Sequence, residues 1–275
     1  MAFANSLVLL VGLGLVIKSI PILEKKSIFH LLFSSNWHPL KGEFGFYPFI
    51  VGTLEVTAIA MILAVPVCLL SAIYLSEYAH YRLREIARIT VDIMAAIPSV
   101  IYGLWGVIVV VPFVSLLGKL LNTPTTGYSL LAGGIILAIM ASPIIISVSL
   151  EVLRTVPLQA REAALALGTT KWEAIKYVVL RNAFHGILSA VILGFARAFG
   201  ETIAVLMIVG NVPKVPASVF DPAYPLPALL ANNYGEMMSI PLYNSALLLS
   251  ALILLLVVSA FNVTAHLTLI RVEKR

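Results

Sequence analysis

Two residues of opposite charge, Arg197 and Glu201, interrupt an otherwise apolar segment in the second half of the chain. A guanidinium group binds oxyanions well, because its planar fork of N–H donors matches the oxygens of a phosphate or carboxylate. If the segment is one helix that begins near Arg181, Arg197 lies about 24 Å along it, deep in a hydrocarbon layer of about 30 Å. A charge at that depth costs about 2.5–3.5 kcal/mol, so we expect Arg197 to face protein or a water-filled path.

The spacing of four residues places Arg197 and Glu201 on one face of a helix, where the two side chains can pair. Two interpretations follow. In the first, the residues form a structural ion pair within the membrane. In the second, the arginine helps an anion to cross the membrane and the glutamate holds the arginine in place. The sequence has neither an H-E-x-x-H motif nor a nucleophile elbow, so we predict no catalytic residue.

The composition defines the surroundings in which these residues lie. Hydrophobic residues make up 60% of the 275 residues and charged residues only 11%, whereas a soluble domain has about 25% charged residues. This predicts an integral membrane protein. The net charge of +5 does not indicate a nucleic-acid partner, because membrane proteins keep lysine and arginine in cytoplasmic loops. Cys68 is the single cysteine, which excludes a disulfide framework and a Cys-based metal site. We predict no metal and no cofactor on this chain.

Six apolar stretches predict the membrane-spanning elements of a single domain over residues 1–275. Each is long enough for a helix of about 20 residues, and none shows the alternation of a β-barrel strand. The fold class predicted is therefore an all-α membrane protein with a six-helix bundle. No positive charge precedes the first stretch, which we interpret as an uncleaved span rather than a signal peptide. The stretches are 3–22, 47–75, 91–118, 128–153, 184–212 and 240–270.

Lysine and arginine are distributed unequally between the two sets of connecting segments. The segments 82–88 and 154–181, together with the residues after 270, hold eleven of them, and the other connections hold five. Since basic residues accumulate on the cytoplasmic side, both termini are predicted to be cytoplasmic. The segments around Lys41, Lys119 and Lys214 are then predicted to face outward.

The segment 156–182 has the signals of two consecutive helices. Pro157 suits the first turn of a helix, and strong helix formers follow it as far as Gly168, which is an expected left-handed stop. Thr170 and Glu173 then form a T-x-x-E capping box that opens a second, amphipathic helix. The prediction is a short helix, a sharp turn and a second helix, all in the cytoplasm.

Within this segment, Glu162-Ala163-Ala164 followed by Gly168 resembles the EAA loop of ABC-importer permeases. The resemblance implies that the short helix couples the chain to a separate ATPase subunit. The small side chains of Ala163 and Ala164 would let another protein approach closely. The sequence departs from the family pattern at Arg181, where the family usually has a proline.

Other runs resemble phosphate-importer permeases of the Pst type over nearly the whole chain. The run 197–202, with 209–211 after it, is more similar to PstC subunits than to PstA subunits. In this family the positions of Arg197 and Glu201 are regarded as functionally important, so the resemblance implies a role for both in the substrate pathway. The other similar runs are 44–54, 73–79, 97–103 and 153–157.

The resemblance also implies a set of partners in a bacterial or archaeal cytoplasmic membrane. These are a second permease subunit of the PstA type, an ATPase dimer of the PstB type and an extracytoplasmic phosphate-binding protein of the PstS type. The chain lacks G-x-x-x-x-G-K-[ST], so ATP and Mg²⁺ are expected on the ATPase and the chain itself is not an enzyme. Two alternatives stay open: a permease for another oxyanion, such as molybdate or sulfate, and a stand-alone ion-coupled carrier or channel.

Overall fold

The computed structural model describes residues 2–273, so Lys274 and Arg275 of the basic C-terminal set lie outside the described residues. Within residues 2–273, the regular structure is helical except for one hairpin of two short strands, in which Trp37 pairs with Phe44. The elements in chain order are α1 (Ala2–Leu23), α2 (Ile28–Phe33), β1 (Trp37–His38), β2 (Glu43–Phe44), α3 (Tyr47–Glu77), α4 (Tyr81–Ala96), α5 (Ser99–Trp105), α6 (Val111–Leu120), α7 (Leu130–Thr155), α8 (Leu158–Ala166), α9 (Lys171–Ala174), α10 (Leu180–Phe199), α11 (Ile203–Ile208), α12 (Leu226–Asn233) and α13 (Pro241–Glu273).

Five helical segments of the described chain are long and apolar enough to cross a membrane, and α1 adds a shorter apolar stretch at Leu9–Leu23. The all-α membrane fold is therefore confirmed. Two of the five segments contain a π-helical turn, at Gly106–Val110 and at Ile175–Val179, which joins neighbouring α-helices without a break. The five segments are Tyr47–Glu77, Ser99–Leu120, Leu130–Thr155, Lys171–Phe199 and Pro241–Phe261.

The boundaries of the third predicted span, 91–118, are wrong at the start. Residues 91–96 belong to the amphipathic helix α4, and the apolar segment begins only at Ser99. The helix stops because Pro98 disfavours the α conformation of the residue before it, and Ile97 is extended, with φ −66° and ψ 127°. Pro98 therefore separates two helices rather than bending one.

The fifth predicted span, 184–212, begins too late and ends too late. Helix α9, the π turn Ile175–Val179 and α10 run without interruption from Lys171 to Phe199, so the second helix of the predicted loop is the beginning of the long apolar segment. No proline or glycine lies between Lys171 and Arg181 to stop it. The chain leaves the helix after Phe199 and re-enters one at Ile203.

The chain divides into two compact units, each built from three separate segments, so the single domain over 1–275 stays a prediction. The first unit contains an aromatic cluster around Trp37, whose ring packs edge-on against Phe44, Phe49 and Tyr243 at centroid distances of 5.6, 4.8 and 6.0 Å. The last three side chains are buried. Such edge contacts stabilise aromatic pairs beyond the burial of their surface. Because Phe49 belongs to α3 and Tyr243 to α13, these contacts hold the hairpin against both helices.

The second unit contains the segment 156–182. Its core joins α3, α7 and α10 through Ala72, Leu153 and Ala183, all almost completely buried. A Cβ atom on Gly186 would collide with Val152, and one on Gly194 would collide with Ile145. The two glycines thus let α7 and α10 approach closely, as small residues do between membrane helices.

Candidate functional site

The short helix α8 and the turn after it form as the sequence predicts. Helix α8 begins after Pro157 and ends at Ala166. Gly168 has φ +82°, a conformation that side chains rarely permit, and its N–H donates to the carbonyl of Leu165 at 3.0 Å. The turn therefore depends on glycine because of its backbone conformation, since open space surrounds the position of a Cβ atom.

The predicted capping box at the start of α9 is confirmed. The N–H of Glu173 donates to the Thr170 hydroxyl at 3.3 Å, and the N–H of Thr170 donates to the Glu173 carboxylate at 2.7 Å. These two bonds satisfy donors that a helix start would leave without partners. The box fixes the direction in which the long apolar segment leaves the turn.

The surface of α8 combines one acidic residue with small and apolar side chains. Glu162 and Ala163 are exposed, whereas Ala164 is buried against its own chain and is not available to another protein. Three leucines are exposed: Leu158 and Leu165 of α8 are 65% and 47% exposed, and Leu167, directly after the helix, is 86% exposed. Exposed apolar groups of this kind, on a helix of nine residues, are typical of a protein-binding surface.

Behind α8 lies a group of charged residues that sequence reasoning missed. The guanidinium of Arg161 contacts the Glu77 carboxylate at 3.0 Å, and its second nitrogen donates to the carbonyl of Leu153 at 2.6 Å. The ammonium of Lys171 donates to the Glu77 carbonyl at 2.6 Å and lies 4.4 Å from the centre of the Tyr78 ring. We call Glu77, Arg161 and Lys171 the charged clasp. Local patterns could not reveal it, because Glu77 is far from both basic residues in the sequence.

A second arginine binds the same end of α3. Arg84 of α4 donates from Nε to the carbonyl of Leu75 and from Nη2 to that of Ser76, both at 2.9 Å. The last carbonyls of a helix have no partner within the helix, so arginine side chains near its C-terminus satisfy them and match the negative end of the helix dipole.

Helix α10 ends between Arg197 and Glu201. Arg197 is exposed in the last turn of α10, and Glu201 follows the end of that helix, half-buried, with the N–H of Ala204 3.4 Å from its carboxylate. The prediction that both residues share one helix face is therefore wrong, because α10 ends at Phe199. Among the side chains that the structure describes, the ion pairs are Arg88–Asp92 and Arg161–Glu77.

The run 209–211 forms a tight turn in the first unit. Gly210 and Asn211 both have positive φ, of 93° and 53°, and the Asn211 side-chain amide donates to the carbonyl of Leu206 at 2.7 Å. A Cβ atom on Gly210 would lie 2.7 Å from Pro222, so glycine is required there for space as well as conformation. A cavity of about 460 Å³ next to the turn is lined in part by Thr126. Among the described residues, no group of three His, Cys, Asp or Glu side chains could hold a metal ion.

Several apolar helices of membrane-crossing length, two of which are connected through a short helix with exposed apolar side chains, define the class of multi-pass membrane proteins. Residues 64–270 match the family described as binding-protein-dependent transport system inner membrane component, and the chain belongs to this family. It is therefore a multi-pass protein of the inner membrane.

Similar proteins cover most of the chain. The phosphate transport system permease protein PstC of Xylella fastidiosa is 37% identical over 258 residues, which are 88% of this chain and 79% of that protein. The PstC protein of Mesorhizobium japonicum is 36% identical over 262 residues, covering 90% and 80%. An inward-facing structure of the MetNI methionine ABC transporter superposes with a TM-score of 0.60 at 19% identity, covering 86% of this chain and 99% of that one. That likeness supports the fold alone.

Proposed function

We propose that this chain is the PstC-like membrane subunit of an ATP-driven importer that moves inorganic phosphate across the cytoplasmic membrane. The observation that carries the proposal is its similarity to PstC proteins at 36–37% identity over most of its length. The working complex also contains a PstA-like permease subunit, a PstB-like ATPase dimer with ATP and Mg²⁺, and a PstS-like binding protein. ATP hydrolysis takes place on the ATPase dimer.

In this proposal α8 couples the chain to the ATPase. Glu162 and Ala163 are exposed and Gly168 sets the turn, so these residues form the docking surface together with the exposed leucines. Ala164 contributes from behind, since its small buried side chain lets α8 lie close to the rest of the chain. We call the turn between α8 and α9, residues 167–170, the elbow. In this proposal the docking surface lies directly before the long segment Lys171–Phe199, so a displacement of α8 is transmitted to that segment through the capped elbow.

Arg197 and Glu201 belong to the substrate pathway in different ways. Arg197 is exposed on this chain, although it lies in an apolar helix, which supports a guanidinium that faces the path of the anion. Glu201 is half-buried in the short connection between α10 and α11. It supports the connection instead of pairing with the arginine.

Uptake by the reconstituted complex in liposomes tests the proposal. With ATP inside and phosphate-loaded binding protein outside, we expect accumulation of radiolabelled phosphate that excess sulfate or molybdate does not inhibit. Transport of molybdate or sulfate instead would assign another anion. Uptake by this chain without the ATPase would identify a stand-alone carrier and overturn the proposal.

A further inference from the structure

The charged clasp joins the distant helix α3 to the consecutive helices α7 and α8. Arg161 belongs to α8, Glu77 ends α3, and the carbonyl of Leu153 belongs to the last turns of α7. Lys171 opens the helix that follows α8 and holds the same residue of α3 through its backbone carbonyl. Both sides of the turn between α8 and α9 are thus attached to the end of α3.

The central bond of the clasp is shielded from water. The Glu77 side chain is 6% exposed and that of Arg161 is 21% exposed. The Ser76 hydroxyl donates to the same carboxylate at 2.9 Å. By contrast, the other ion pair of the described chain, Arg88–Asp92, is 62% and 67% exposed at 4.0 Å, and exposed pairs of this kind are weak and screened. The Arg161–Glu77 ion pair of the clasp is therefore more directional and stronger than an exposed pair such as Arg88–Asp92.

The end of α3 is also attached to α4, through the bonds of Arg84 to Leu75 and Ser76. Residues 75–77 consequently receive hydrogen bonds from α4 on one side and from α8 and α9 on the other. A shift of α8 would therefore displace residues 75–77 at the end of α3, and their displacement would be passed on to α4.

We propose that the charged clasp transmits the position of α8 to the ends of α3 and α7, and through Arg84 to α4. This rests on the proposed role of α8 as the coupling helix. Arg161 is then a positioning residue: it contacts neither ATP nor the transported anion, but its guanidinium fork holds two helix ends at once. Without the guanidinium, α8 could move with the ATPase while α3 and α7 keep their positions. ATP would then be hydrolysed without a matching amount of transport.

The test uses the complete reconstituted importer with Arg161→Gln in this chain, and its measured quantity is phosphate uptake per ATP hydrolysed. We expect this ratio to fall about tenfold, within the range of typical coupling between sites, while basal ATP hydrolysis persists. The matched control is Arg82→Gln, since Arg82 is an exposed arginine of α4 that is not part of the charged clasp. The control should equal the wild type. An unchanged ratio in Arg161→Gln would overturn the proposal.

The double variant Glu77→Gln with Arg161→Gln separates transmission from a structural role. Removing both charges avoids a buried carboxylate without a partner, so a purely structural pair predicts recovery of the uptake ratio. Transmission predicts that the double variant assembles normally and keeps the low ratio. Recovery of the ratio, or loss of assembly in the double variant, would overturn the proposal, because either would reduce the clasp to an element of the fold.

The wild-type complex provides the control for substrate identity. If it fails to take up phosphate, the proposed function fails and the clasp is tested by another ratio. That ratio is ATP hydrolysis with the substrate-loaded binding protein that the complex recognises, divided by basal hydrolysis. A ratio equal in wild type and Arg161→Gln would then count against the clasp, and a ratio reduced about tenfold would support it.

Discussion

At the scale of single residues, Arg161 and Arg197 differ in their hydrogen-bond partners and in their exposure. Arg161 has a carboxylate and a carbonyl as partners and is mostly buried. Arg197 is exposed in an apolar helix, outside the ion pairs of the described chain. A charged group kept in an apolar helix costs free energy, and this cost is the reason for which we propose a function for Arg197 in the assembled protein.

Replacement of Arg197 by glutamine tests that function. The variant keeps length and some hydrogen bonding but loses the charge, and charge-assisted hydrogen bonds contribute about 1.5–3 kcal/mol. We therefore expect phosphate uptake to fall by about tenfold to a hundredfold while the complex still assembles. Arg181→Gln is the matched control, because Arg181 is exposed near the other end of the same helix.

The double variant Arg197→Gln with Glu201→Gln addresses the structural interpretation of this pair. Since α10 ends between the two residues, the second change should not restore uptake. Restored uptake in the double variant would show that the two side chains pair in the assembled importer and would reduce Arg197 to a structural role.

At the scale of elements, the elbow from α8 to α9 is set by backbone chemistry. Gly168 with φ +82° ends one helix, and the capping box of Thr170 and Glu173 begins the next. These local bonds make the turn a rigid connection between a docking surface and a membrane-crossing segment. Rigidity is what a coupling element requires, since a loose turn would absorb motion instead of passing it on.

Gly168→Pro tests the elbow. Proline fixes φ near −65° and has no N–H, so the turn loses both its left-handed conformation and the bond to the Leu165 carbonyl. We expect substrate-stimulated ATP hydrolysis to collapse while membrane insertion is retained. Gly235→Pro is the matched control, because Gly235 also has a positive φ, of 94°, and open space at its Cβ position. Stimulation that survives in Gly168→Pro would exclude this elbow as the coupling element.

At the scale of the whole molecule, the basic residues of the charged clasp and its neighbour Arg84 all come from the two connections rich in lysine and arginine. The distribution that predicts the orientation of the chain therefore also supplies the cations that hold helix ends. On the proposed orientation, these contacts lie on the cytoplasmic side, where the ATPase acts.

Labelling of single cysteines tests this orientation. In a Cys68→Ser background, cysteines replace Lys171, Lys214 and Asp221 one at a time. A membrane-impermeant reagent added to intact cells should label positions 214 and 221, and position 171 only after the cells are opened. Each variant serves as a control for the others, since reagent and background are shared. Labelling of position 171 from outside would overturn the orientation.

The sequence by itself determined the features that depend on composition and short-range spacing. Apolar stretches of sufficient length defined an all-α membrane protein, because lipid requires every backbone group to be bonded within a helix. The glycine stop at Gly168 and the capping box at Thr170 were predictable because their hydrogen bonds join residues no more than four positions apart.

Only the tertiary structure decided how these elements are held together. The clasp joins Glu77 to Arg161 and Lys171, and no periodicity reports a contact between residues so distant in sequence. Likewise, the sequence predicts that Ala164 faces another protein, but its side chain is buried because α8 lies against its own chain. The end of α10 was not predicted either, because the sequence becomes apolar again from Ile203, and hydropathy does not record that the backbone leaves the helix at Gly200-Glu201-Thr202. Local bonds follow from local sequence, whereas contacts between distant segments depend on the whole fold.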